Sequence, residues 1–231
     1  MADVTSYLKI YTPQTTPQLT EINYSEIKRY AGVISKYQKN AGKEDLSHDL
    51  EDLERIEKIL QECVKEAIPV LTYKVSFREE LILRNQDDSM ILPFDYNHSK
   101  NLEKNLSGCN KIVMFAATVG LGLDRLIEKY NHISPLKALF MQSFGAERIE
   151  ALCDVFNDEI KAKVSSENGF TKPRYSPGYG DLPLSVQKEL MVILDCSRKL
   201  GISLNESLLM SPSKSVTAII GIGDASAVSK E

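Results

Sequence analysis

Pro173-Arg174-Tyr175-Ser176-Pro177-Gly178-Tyr179-Gly180-Asp181-Leu182-Pro183 packs three prolines and two glycines into one short stretch. Proline fixes φ and lacks an amide proton, so neither a helix nor a central strand passes through here. Glycine opens backbone angles that other residues avoid. The stretch therefore reads as a loop of fixed shape that lets a ligand come close to its backbone. Arg174 offers a planar fork of donors suited to a carboxylate. Tyr175 and Tyr179 offer flat apolar faces with polar tips. One reading is a clamp for a zwitterionic or aromatic small molecule; the other is a surface turn whose tyrosines pack on the core.

Upstream, residues 135–164 predict one long helix. Leu136, Leu139, Phe140, Ser143, Ala146, Ile149, Leu152, Cys153, Phe156 and Ile160 trace its apolar side. Glu147, Glu150 and Asp154 follow one another by about a turn on the neighbouring face. Paired acids serve proton transfer or metal binding; with no histidine partner they read as solvated. Glu167-Asn168-Gly169 breaks this helix. Downstream of the loop, residues 184–194 predict a helix with Leu184, Met191 and Leu194 toward the core. Residues 204–210 and 216–222 predict paired strands around the turn Ser211-Pro212-Ser213-Lys214-Ser215.

Residues 111–117 predict an apolar strand that runs into Gly120-Leu121-Gly122. Strand, Gly-x-Gly and helix invite a dinucleotide-binding reading, but Arg125 stands where the third glycine belongs and no repeated βαβ units follow. A strand-to-helix turn fits better. Earlier, residues 70–94 predict strands with a hairpin turn at Asn85-Gln86-Asp87-Asp88, and residues 99–107 a short helix ending at Gly108. Leu50, Leu53, Ile56, Leu60, Cys63, Val64 and Ala67 predict a core helix over 49–67, closed by Pro69 and preceded by a polar linker at 39–47. A first helix is predicted over 22–30, with Ser25 as its N-cap, Gly32 at its end and Arg29 on the surface. Residues 1–19 read as a mobile arm or as an edge strand around 7–10, and residues 224–231 as a frayed tail. Antiparallel strands followed by helices favour an α+β fold.

Composition narrows the function. A chain of 231 residues with 42% hydrophobic and 26% charged residues is globular and long enough to bury a core without staples. A net charge of -4 without basic clusters excludes nucleic acid as a main partner. Residues 1–4 lack a signal-peptide pattern, and the most apolar stretch, 112–123, is too short to span a bilayer, so a cytoplasmic location and no membrane partner are expected. Cys63, Cys109, Cys153 and Cys196 form no Cys-x-x-Cys pair, which disfavours zinc.

Arg174-x-x-x-Gly178-Tyr179 resembles the Arg-x-x-x-Gly-Tyr signature of the activation (reactivation) domain of cobalamin-dependent methionine synthase. Asp181-Leu182-Pro183, Glu206-Ser207-Leu208-Leu209-Met210-x-Pro212-x-x-Ser215-Val216 and Phe115-Ala116-Ala117-Thr118-Val119-Gly120 extend the likeness over roughly 22–222, and small stand-alone members match best. The resemblance implies a single curved α+β domain over 20–223, with a bent antiparallel sheet flanked by helices. It implies S-adenosylmethionine as ligand, held by Arg174, Pro177, Gly178, Tyr179 and a helix acid, Glu150 or Glu147. No residue is assigned a catalytic role and no metal is expected. No histidine has an aspartate two residues before it, so the Asp-x-His-x-x-Gly cobalamin motif is absent and cobalamin would be held by a partner. The implied partners are a cobalamin-dependent methionine synthase lacking this domain and a flavodoxin-like electron donor. Two alternatives stand beside this: a non-catalytic module that caps a corrinoid protein, and a nucleotide-binding enzyme built on Gly120 and Gly122.

Overall fold

Every residue from Ile112 to Thr118 is buried. A strand apolar on both sides must sit inside a sheet whose two faces are both covered. The computed structural model, which describes residues 8–13, 19, 21–33 and 46–224, meets that demand. The first half of the chain supplies β1 (Lys9–Tyr11), α1 (Tyr24–Tyr30), α2 (Leu46–Ala67), β2 (Lys74–Leu81), β3 (Leu83–Arg84) and β4 (Met90–Ile91). Next come α3 (Lys100–Asn105), β5 (Lys111–Thr118), α4 (Gly122–Asn131) and α5 (Pro135–Ser166). The rest is β6 (Gly169–Thr171), α6 (Val186–Ile193), α7 (Cys196–Leu200), β7 (Ser203–Leu204), β8 (Met210–Ser211) and β9 (Ser215–Asp224).

The main sheet runs β1-β2-β5-β9-β6, with every pair antiparallel. Strand alternation sorts β5 between two cores. Val113, Phe115 and Ala117 face the core under α5, α2, α1 and α4, where Phe140, Phe144, Leu60 and Ile27 are buried. Ile112, Met114 and Ala116 face a second core capped by α3, α6 and α7, with Leu102, Leu106, Leu190 and Cys196. Phe156 of α5 stacks tilted on Tyr11, Phe77 and Phe115, tying the edge strand to the centre. The sheet is thus antiparallel with helices on both faces, an α+β architecture as expected.

Several details differ from the sequence reading. The N-cap of α1 is Asn23, whose side chain accepts from the Glu26 amide, and Ser25 lies inside the helix. Leu53 is exposed. Leu184 is exposed too: α6 starts at Val186, so Val186, Leu190 and Leu194 face the core. Residues 216–222 do not pair with 204–210. They belong to β9, between β5 and β6, because both of their faces are apolar; Ser203–Leu204 pairs with Met210–Ser211 as a separate ribbon. Glu147 is not solvated but buried. Gly120 has φ +87°, and a Cβ on Gly122 would stand 2.3 Å from the Val70 carbonyl oxygen. That close approach is filled by the chain itself, so this Gly-x-Gly is a crossing turn and the dinucleotide reading falls. Most of the arm (1–7, 14–18), most of the linker (39–45) and the tail (225–231) lie outside the described residues.

Two interactions fix the walls around the 173–183 loop. The first is an ion pair between Glu147 and Arg148 on α5, at 6% and 1% exposure. Arg148 also donates to the carbonyls of Leu19 (3.0 Å) and Glu21 (3.1 Å), while the Asn23 amide donates to Glu147 Oε1 (3.2 Å). A buried pair is tolerated when its remaining donors are satisfied, and here the segment before α1 does so. The second is Asp181, whose carboxylate accepts from the Ser99 hydroxyl and the amides of Lys100 (2.9 Å) and Asn101 (3.2 Å) at the start of α3. Gly178 N–H to Leu182 O (2.9 Å) and Tyr175 Oη to Tyr179 O (3.1 Å) close the loop on itself.

Removing one partner of the buried pair strands the other. Arg148→Ala should cost about 3–5 kcal/mol in urea unfolding, with lost amide protection at residues 21–24; pairing Glu147→Gln with Arg148→Met should recover most of it. The Ser99 hydroxyl, followed by the α3 amides, holds the Asp181 carboxyl below its ordinary value. A depressed carboxylate contributes stability that is complete above about pH 4 and is lost as pH falls through the folded value. Protection of the 176–182 amides should fall in that acid range in the wild type. Asp181→Asn should show weak protection there with no such step.

Candidate functional site

After β6 the chain continues along β9: Lys172 N–H donates to Gly221 O, and Tyr175 and Ile219 exchange two backbone hydrogen bonds, each 2.8 Å. This antiparallel bridge delivers Arg174 to the side of α5. There its Nη1 lies 2.5 Å from Asp154 Oδ1 and its Nη2 2.5 Å from Glu150 Oε2. Glu150 and Asp154 are one helical turn apart, so both reach the same guanidinium. The guanidinium is half-buried and the two carboxylates are more open. One positive charge faces two negative ones.

A cleft of about 410 Å³ opens between the loop and β9. It is lined by Glu150, Arg174, Tyr175, Pro177 and Tyr179 together with Gln187, Met210, Ser215, Val216 and Thr217. A second hollow, about 730 Å³, adjoins it at Glu150 and runs under α1, past Glu21, Tyr24, Glu26, Tyr30, Glu147 and Asp154. The two together make a charged trough with aromatic and apolar walls.

Of the residues expected at a site, Arg174, Pro177, Tyr179 and Glu150 meet in this cleft. Gly178 does not line it. Its φ of +89° makes the turn, and a Cβ there would lie 3.3 Å from Leu184 Cδ1. Of the two helix acids left open, Glu150 meets Arg174, while Glu147 turns to Arg148. Ser215, at the end of the 211–215 turn, and Met210 just before it also line the cleft. Sequence reasoning missed Asp154 as a partner of Arg174, although its spacing from Glu150 was the available signal. It also missed Gln187 and Thr217, which no motif marks.

The cleft offers charged groups, hydroxyls and flat apolar faces. Burial pushes the thiol of Cys63 up to about 11 and those of Cys153 and Cys196 up to about 12, and raises Cys109 as well, so none is a ready nucleophile. Among the described residues no group of three or more His, Cys, Asp or Glu side chains is placed to hold a metal ion. No described helix is long and apolar enough to cross a membrane.

Comparison with known proteins agrees with this architecture. A crystal structure described as the MetH reactivation domain bound to AdoHcy superposes with a TM-score of 0.58, at 14% identity, over 93% of this chain and 78% of that one. At that identity the likeness speaks for the fold. No curated protein matches the chain. A family model does, over residues 72–228, which include β5, the Arg174 loop and β9: the chain belongs to the vitamin B12 dependent methionine synthase, activation domain, family.

Proposed function

We propose that this chain is an S-adenosylmethionine-binding reactivation subunit. It acts in trans on a cobalamin-dependent methionine synthase that lacks its own activation domain, in the cytoplasm. The observation that carries this reading is the meeting of Arg174 and Glu150 with Pro177 and Tyr179 in one cleft, with Arg174 also paired to Asp154 from α5. The solved relative is described as bound to AdoHcy, the demethylated form of the same ligand.

The cleft's residues fit the ligand's chemistry. Arg174 meets the methionyl carboxylate, exchanging one of its two exposed acid partners for it. Such exposed pairs hold each other weakly, so the exchange costs little. The released acid faces the ligand's ammonium group, and the excess negative charge around Arg174 offsets the sulfonium. Bound there, S-adenosylmethionine supplies a methyl group already activated by its positive sulfur. Cobalamin stays on the partner chain, and the electron comes from a flavodoxin-like donor. Tyr179, 69% exposed at the mouth of the cleft, faces the incoming partner. The protein's task is orientation, which by itself can be worth several orders of magnitude in rate.

A second reading, a non-catalytic module that caps a corrinoid protein, draws on one observation: both terminal nitrogens of Arg174 are engaged by the chain's own acids.

Calorimetry separates the two. S-adenosylmethionine should bind the wild type, and Arg174→Ala should weaken it about ten- to a hundredfold, the loss expected for a charge-assisted pair worth about 1.5–3 kcal/mol. Capture of a cobalamin-loaded methionine synthase without any S-adenosylmethionine binding, alone or in the complex, would instead establish the capping module.

A further inference from the structure

Thr217 sits on β9 opposite Ala116. Its side chain is 3% exposed, yet it lines the cleft. Its Oγ1 has no hydrogen-bond partner among the described residues. The neighbouring polar groups are committed elsewhere. Ser215 Oγ bonds Thr118 Oγ1 (2.9 Å) and Pro212 O (2.8 Å), and Gln187 Nε2 donates to Leu208 O (2.8 Å). A buried hydroxyl without a partner is destabilising. On a cleft wall, a polar group of an entering ligand would complete it.

The direction of the chain says which part of a ligand that is. Because Tyr175 pairs antiparallel with Ile219, the loop beyond Tyr175 runs toward Thr217, and Arg174 lies on the far side of the bridge. The charged end of the cleft is therefore separate from the Thr217 end. Alternation along β9 puts Thr217 on the second-core face of the sheet with Tyr175, while Val216 turns to the first-core face; Pro177 and Met210 are the apolar members of the lining that lie off this strand. A tyrosine ring and apolar side chains beside an unpartnered hydroxyl suit a group with a flat face and a polar edge.

We propose that Thr217 Oγ1 is a specificity-determining contact that hydrogen-bonds the nucleoside portion of the ligand. The inference rests on the S-adenosylmethionine reading above, with the amino-acid end at Arg174.

The test is S-adenosylmethionine calorimetry on the wild type, Thr217→Val and Thr217→Ser, with thermal melts of each protein without ligand. Valine keeps the shape and removes the hydroxyl. Thr217→Val should bind about three- to tenfold more weakly, as for one lost hydrogen bond. Its melting temperature should equal or exceed the wild type's, because an orphaned hydroxyl has gone. Thr217→Ser should stay near the wild type. The losses in Thr217→Val and Arg174→Ala should multiply in the double variant, as for separate ends of a ligand. Unchanged affinity in Thr217→Val, with binding still dependent on Arg174, would overturn this proposal alone. A melting temperature that falls together with affinity would make the hydroxyl structural and overturn it as well. A wild type that binds no S-adenosylmethionine, alone or with its partner, would remove the functional reading and this contact with it.

Discussion

The structure depends on a strand that water cannot touch on either side. β5 and its neighbour β9 are apolar on both faces, so two layers of helices have to be placed over one sheet. Their pairing is tight for the same reason. At Gly221 a Cβ would stand 2.7 Å from Cys109 Sγ, and at Gly223 one would stand 2.5 Å from the Gly108 carbonyl oxygen. Small residues on β9 let the second layer settle directly on the backbone. The loop at 173–183 takes its position from this arrangement: it leaves β6, bonds along β9, and then crosses to the helices of the second core through Leu182.

The long helix α5 does two jobs with adjacent residues. Glu147 and Arg148 turn inward and hold the segment around Leu19 to Asn23; Glu150 and Asp154 turn toward Arg174. The segment before α1 and the Arg174 guanidinium are therefore both held by one rigid element. Helix geometry fixes the spacing of these four side chains to within a rotamer, which is the precision that ligand positioning asks of a site. The buried pair is costly to desolvate and is held because backbone carbonyls and an amide complete it.

Much of this was legible in the chain. The long helix, the hairpin at Asn85–Asp88 and the apolar strand β5 all follow from local pattern, while 204–210, read as one strand, runs from β7 through a turn into β8. The misses have a common cause. Glu147 read as solvated because helical spacing shows which residues share a stripe and not what crosses that stripe; α1 covers it, and α1 is distant in sequence. Residues 216–222 read as partners of 204–210 because hairpin reasoning prefers near neighbours, whereas the apolar character of both their faces required a central place in the sheet. In the cleft, Arg174, Pro177 and Tyr179 stood out because one short Pro-Gly loop carries both a guanidinium fork and an aromatic face, in the order of a known signature. Thr217 could not stand out, since a threonine in a strand is ordinary until its hydroxyl is seen to lack a partner.

The balance of charge around Arg174 decides what the cleft can favour. An arginine alone would select anions. Here the nearest groups are two carboxylates, with Glu21 and Glu26 lining the adjoining hollow. At an effective dielectric near 20, a charge about 6 Å from one uncompensated carboxylate feels roughly 3 kcal/mol of attraction before screening, and the openness of these acids lowers that further. Even a reduced fraction of that energy favours a ligand carrying an extra positive charge over its neutral counterpart. A methyl donor is cationic at sulfur before transfer and neutral there afterwards. The same carboxylates that orient Arg174 would thus hold the donor more tightly than the product, and the field of the site would favour release of the spent ligand once the methyl group has left.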